Sequence, residues 1–220
     1  VQSRGSTQTV LQVYMAHDPG PALPSAIFSR GNVNFNNGGS YNGTDNCGAS
    51  GAKPPVYTKN PATTTGAGWT VYQPSAPTSG TTDFDIQGAI NTLKAGATVL
   101  TTDQSGTNFG SATNYVTVYS NTSSPLNIGG LELKALTGYG LLLVEGDLII
   151  EDTTVWNGLI YVTGTVTFGA KSGHKAYLYG GLLAGSVVSI DTGTVVNYDS
   201  CQIAESMATK PLKALRWRRL

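Results

Sequence analysis

Charge is scarce in this chain. Only 12% of its 220 residues are Asp, Glu, Lys or Arg, and the formal net charge is zero. No global field therefore favours nucleic acid or an acidic partner. Histidine occurs only as His17 and His174, without ligand spacing, and the two cysteines, Cys47 and Cys201, cannot build a structural zinc site alone. No run reaches the roughly 18 apolar residues that span a bilayer. No G-x-x-x-x-G-K-[ST], G-x-S-x-G or H-E-x-x-H is present. No cofactor, metal or catalytic residue is expected, and the chain reads as a non-enzyme. It does not begin with Met and shows no signal peptide, so it reads as a processed or trimmed chain.

What the chain does have is glycine, 28 residues of it, with abundant Thr, Ser, Asn and Tyr. Hydrophobic residues make up 40%, enough for a core in one β-rich domain over 1–220. TQTVLQVYMA (7–16) reads as a strand, broken by Asp18-Pro-Gly-Pro. SAIFSRGNVNF (25–35) reads as a strand pair bent at Gly31. Residues 36–82 are dense in Asn, Gly, Thr, Ser and Pro and read as a long polar loop, given some order by its aromatics. One main helix is expected near 83–95. Thr82 or Asp83 would cap it, Ile86, Ile90 and Leu93 form its apolar stripe, and Gly96 stands at its C-terminal end. NYVTVYS (114–120) and LNIGGLELKAL (126–136) read as strands.

The strongest internal signal is repetition over 140–190. GLLLVEGDLII (140–150), GLIYVTGTVTF (158–168) and GLLAGSVVSI (181–190) each pass from Gly-Leu through a second Gly into a β-rich run. AIFSRGNVNF (26–35) fits the same frame, with Gly31 in the place of Gly146, Gly164 and Gly185. A spacing of about 20 residues is close to one turn of a β-solenoid, in which no turn buries its apolar face alone. The fold expected is mainly β: a short β-solenoid or β-helix-like stack with additional terminal strands and one short helix. An antiparallel meander with glycine turns is the competing arrangement. Trp156 and Phe168 are expected in the core of successive rungs. KALRWRRL (213–220) alternates as a half-exposed strand and can pair with 7–16.

Cys47 and Cys201 sit in the turn-like settings TDNCGAS and YDSCQI, where a core thiol would be out of place. They read as one disulfide in an oxidising compartment, with two unrelated thiols as the alternative. The bridge requires the AIFSRGNVNF and GLLAGSVVSI rungs to be neighbours. Glu145, Asp147, Glu151 and Asp152 read as solvated acids flanking a strand rather than a calcium site, and Asp45 as a turn residue. A glycosidase carboxylate pair stays open, because spatial pairs are invisible in sequence. Lys210, Lys213, Arg216, Arg218 and Arg219 make the tail basic. They form either a phosphate-tracking patch for DNA or a charged edge strand that resists aggregation, and the second is favoured.

The run TGYGLLLVEGDLII, WNGLIYVTGTVTF, YGGLLAG, VNYDSCQIAESM and PLKALRWRRL resembles the C-terminal region of PilX-like type IV pilus assembly proteins. STQTVLQVYMA and AIFSRGNVNFNNGGSYNGTDNCG resemble that family's opening. The resemblance covers most of the chain and is weakest over 52–82 and 97–125. It implies an extracytoplasmic, minor-pilin-like protein at the cell surface or on a pilus. Such a protein acts through contacts with other pilin or assembly subunits, and its family carries an N-terminal membrane helix that this sequence lacks. The alternative is a pilus-tip adhesin or uptake receptor binding glycan or DNA, with Tyr41, Tyr57, Trp69 and Tyr72 as stacking aromatics. A bactofilin-like polymer is a third reading, disfavoured if the two cysteines are bridged.

Overall fold

A computed structural model describes residues 11–16, 20–36, 38–68, 70–121, 131–169, 175–189, 193–210 and 213–219. The order begins with β1 (Leu11–Ala16). Short strands follow: β2 (Ile27–Ser29), β3 (Val33–Phe35), β4 (Gly39–Asn42), β5 (Val56–Lys59), β6 (Thr64–Gly66), β7 (Thr70–Gln73) and β8 (Thr78–Gly80). Then comes α1 (Ile86–Leu93). After it lie β9 (Thr98–Leu100), β10 (Gln104–Ser105), β11 (Val116–Asn121), β12 (Leu131–Lys134), β13 (Thr137–Glu145) and β14 (Leu148–Glu151). β15 (Thr154–Phe168), β16 (Ala176–Ser189), β17 (Val195–Tyr198), α2 (Ser200–Ala208) and β18 (Lys213–Arg219) complete the order.

All strands but β1 and β18 belong to one largely parallel array, and their registers define a three-faced β-helix. A meander would pair neighbours antiparallel; here β13, β15 and β16 stack parallel, with Leu142, Ile160 and Leu182 in one column. The first face runs β9, β11, β13, β15, β16, β2, β5, β8. The second runs β10, β12, β14, the ends of β15 and β16, then β3 and β6. The third runs from the starts of β13, β15 and β16 to β17, β4 and β7.

Stack order is not chain order. The N-terminal coils sit on the last C-terminal coil, because β2 and β3 pair with β16 and β4 pairs with β17. AIFSRGNVNF and GLLAGSVVSI are therefore neighbours, as the bridge requires. From β8 at one end the chain crosses back along the outside through α1, which packs on β13 and β15, and enters β9 at the other end.

Glycine works at two corners of this stack. Gly164 N donates to Gly146 O at 2.9 Å and Gly31 N to Gly185 O at 2.6 Å. A Cβ on Gly31 would lie 2.7 Å from Gly185 O, so close approach of one coil to the next excludes a side chain. At the other corner Gly140, Gly158 and Gly180 stack with φ of 129°, 140° and 143°. The third segment's corner is thus Gly180, one residue before the Gly-Leu at 181. An irregularity between Val162 and Thr165 absorbs the difference in coil length.

The interior is apolar in the middle coils, where Trp156, Phe168, Phe35, Leu142 and Ile160 have no exposed surface. The first face is buried on its outer side as well, since α1 and α2 lie over it. α1 is capped by Asp85, not by Thr82 or Asp83: its side chain accepts from Gly88 N at 2.9 Å. Asp83 instead pairs with Arg30 and Lys59. Ile86 and Ile90 are buried and Leu93 half-buried. Replacing Asp85 by alanine is expected to cost about 1 kcal/mol, read as a lower urea midpoint. A second helix of similar length, α2, follows the last rung. Asp199 caps it, and Ile203, Ser206 and Met207 are its buried residues.

Residues 36–82 are not one long loop. They hold β4 to β8, which stack on coils already present. Each short strand needs only one or two inward side chains, such as Tyr41 and Val56, so the segment is polar in composition yet regular in backbone. At the end of the stack, the cavity of about 440 Å³ is lined mainly by Thr58, Thr63, Thr64, Tyr72, Thr78 and Ser79. β1 and β18 pair antiparallel in a sheet of their own, as the sequence suggested; residues 7–10 lie outside the described residues.

Candidate functional site

Cys47, in the turn between β4 and β5, and Cys201, in the first turn of α2, form a disulfide with Cα atoms 5.7 Å apart. Asp45 organises both sides of it. Its carboxylate accepts from Cys47 N (3.3 Å), Ser50 N (2.6 Å), Ser200 N (2.9 Å) and Ser200 Oγ (2.7 Å). Burial pulls the Asp45 pKa up, but these hydrogen bonds, led by those from Ser200, outweigh it and hold the carboxyl below its ordinary value. A depressed pKa gives stability that is present above the unfolded value, near 4, and is lost as pH falls through the folded pKa. Asp45→Asn is expected to cost about 2 kcal/mol at pH 7. The gap from the wild type should shrink as pH falls below about 4, measured by urea denaturation at each pH. Among the described residues, one cluster has metal-ligand proximity, Cys47, Asp199 and Cys201, and both of its sulfurs are held in the bridge.

The bridge suits an oxidising, extracytoplasmic compartment. No helix among the described residues is long and apolar enough to cross a membrane.

Of the four aromatics expected to stack on a ligand, the three described ones, Tyr41, Tyr57 and Tyr72, pack into the protein. Tyr41 is fully buried and stacks on Phe35 with centroids 3.8 Å apart, and burial drives its phenol pKa well up. Tyr57 and Tyr72 are half-buried against the core. Tyr57 stacks on Phe28, and Tyr72 packs beside Tyr41 and Phe35. Trp69 lies outside the described residues. Tyr41 and Tyr72 stand in the inward column of the third face and staple coils together, whereas Tyr57 faces outward with Phe28 and accepts from Thr82 N where the chain leaves the stack, an assignment that needs the register.

Of the acids read as solvated, Asp147 is exposed as expected and Glu151 departs from the expectation. Glu145 pairs with Lys94 at 2.9 Å and ties the end of α1 to β13. Asp147 accepts from Thr165 N at 2.7 Å, one coil away. Glu151 is not solvated; it has no exposed surface, lies 3.1 Å from Lys134, and shares that lysine with Glu132. Burial is the main cause raising its pKa. Lys210 donates to Leu93 O at 2.5 Å and joins α2 to α1 instead of extending a basic tail. On β18, Arg219, Arg218 and Arg216 stand opposite Leu11, Gln12 and Tyr14, and Lys213 opposite Ala16. Val13, Tyr14 and Met15 are 45%, 47% and 54% exposed, so β1 offers apolar side chains to solvent.

The third face of the β-helix carries a surface that sequence reasoning missed. Its outer positions form two ladders in register. One is Tyr139, Asn157, Tyr179, Asn197, Asn42, Gln73, and the other Thr137, Val155, Tyr177, Val195, Ser40, Val71. None of the twelve is charged and none is fully buried. A signal was available: Tyr139, Asn157 and Tyr179 each directly precede a corner glycine. Tyr115 extends the aromatic row, edge-on to Tyr139 at 5.9 Å, and donates to Gln202 at 2.6 Å.

No protein-family model matches the chain, and no curated protein matches it. Among solved structures it is similar to one described as the crystal structure of an ice binding protein from an Antarctic Biological Consortium. The two share 16% identity at a TM-score of 0.39, over 89% of this chain and 96% of that one. The β-helix described above rests on strand registers and not on that likeness.

Proposed function

We propose that this chain is an extracytoplasmic structural or assembly component of a type IV pilus-like filament, minor-pilin-like, acting through contacts with other pilin or assembly subunits. The observation that carries the reading is the β1–β18 ribbon. It joins the N-terminal and C-terminal strands in a separate two-stranded sheet. A two-stranded ribbon is marginal in water by itself, and among the described residues neither outer edge is paired with a further strand. Exposed Val13, Tyr14 and Met15 add apolar area beside those edges. Such an element suits strand addition by a neighbouring subunit, while the disulfide-clamped β-helix supplies a durable body. The resemblance to PilX-like proteins over the repeated rungs and the terminal strand points the same way.

Co-purification from cells assembling filaments tests this. Val13→Asp/Met15→Asp, with an unchanged circular dichroism spectrum, should lose pilin-like partners and reduce filament number. Normal filaments and partners in that variant would overturn the reading. Salt-sensitive DNA binding that depends on Arg216 and Arg218, with filaments intact, would replace it with an uptake receptor.

A further inference from the structure

We propose that the third face of the β-helix binds an extended, uncharged β-1,4-linked polysaccharide lying along the solenoid axis. This inference does not depend on the pilus reading. The face is built from parallel strands held in register from β13 to β7 across six coils. Strand spacing of about 4.8 Å makes consecutive outer residues a regular row. Over the first four coils of that row aromatic and amide side chains alternate, Tyr139, Asn157, Tyr179, Asn197, and the row continues in amides, Asn42 and Gln73.

The alternation sets a two-coil period, placing Tyr139 and Tyr179 about 9–10 Å apart. A β-1,4-linked glycan also repeats every two sugars, because each ring is turned half a revolution from the last, over a comparable length. One sugar of each pair would lay its C–H face on a tyrosine ring. The next would direct hydroxyls to an asparagine amide, which both donates and accepts. The absence of charge from all twelve outer positions matches a neutral polymer and disfavours an anionic one. An α-1,4-glucan, which coils, would not keep step with a straight ladder. The other exposed face has no such alternation, since its outer row reads Glu132, Ile149, Thr167, Val188, Asn34, Thr65.

The test is retention of the purified full chain on crystalline cellulose, chitin and amylose. Retention on cellulose or chitin, and not on amylose, is expected, and which of the two binds identifies the sugar. Tyr139→Ala/Tyr179→Ala should weaken it about 5- to 150-fold, the loss expected when two stacking rings of order 0.5–1.5 kcal/mol each are removed. Asn34→Ala/Thr167→Ala, on the other exposed face, should not change it. If the double tyrosine variant unfolds, Asn157→Asp/Asn197→Asp keeps the side-chain volumes and should weaken binding similarly. Retention on neither β-1,4 polymer above an albumin control overturns the proposal. So does equal retention on amylose, or binding indifferent to these third-face substitutions. Loss of glycan binding with normal filaments would leave the assembly reading untouched.

Discussion

Trp156→Ala is expected to destabilise the protein by about 3–5 kcal/mol, the cost of emptying a large buried site. Trp156 has no exposed surface and stands in the third-face column between Gly138 and Leu178. Its ring fills the space that Gly138 leaves, so closely that a Cβ on Gly138 would lie 2.1 Å from it. Its indole N–H donates to Gly140 O at 3.1 Å, so alanine also leaves a buried carbonyl short of a partner. Neighbouring coils are held by backbone ladders and cannot collapse into the hole, which favours the upper part of that range. Urea denaturation of the variant reads it directly. A change below about 1 kcal/mol would mean that the ring is not packed inside the stack.

Removing the disulfide is the other large effect. With a sequence separation of 154, the bridge restricts the unfolded chain strongly, and chain entropy sets a ceiling of about 5 kcal/mol. Cys47→Ser/Cys201→Ser is expected to lose about 2–5 kcal/mol. The wild type should lose a similar amount on adding reductant, seen as a fall in the urea midpoint. The loss should be felt most in the N-terminal coils, because Cys47 follows β4 and Cys201 opens α2. Hydrogen exchange should therefore speed up in β4 and β7 before β13 and β15. Two free thiols in protein purified without reductant would refute the pairing.

The repeat could be read without coordinates because a β-helix writes one backbone geometry into the sequence several times. Gly146, Gly164, Gly185 and Gly31 mark one corner, where close approach at Gly164, Gly185 and Gly31 admits no Cβ. Trp156 and Phe168 were legible as core because they are the large apolar residues of the β-rich rungs. The pairing of Cys47 with Cys201 was legible from their turn-like settings, the rung adjacency from that pairing, and the terminal strands from their alternation. What composition could not reveal was 36–82. A strand there is decided by the coil beneath it, and Thr, Ser and Asn satisfy an outer row as well as apolar residues fill an inner one. The order of the stack is likewise tertiary: nothing local says that α1 carries the chain from one end of the solenoid to the other. Inward and outward alternate every residue, so one step of register turns Tyr41 from a ligand contact into core and brings Tyr139 and Tyr179 to the surface. That step is set by hydrogen bonds between coils far apart in sequence, which only the folded chain brings together.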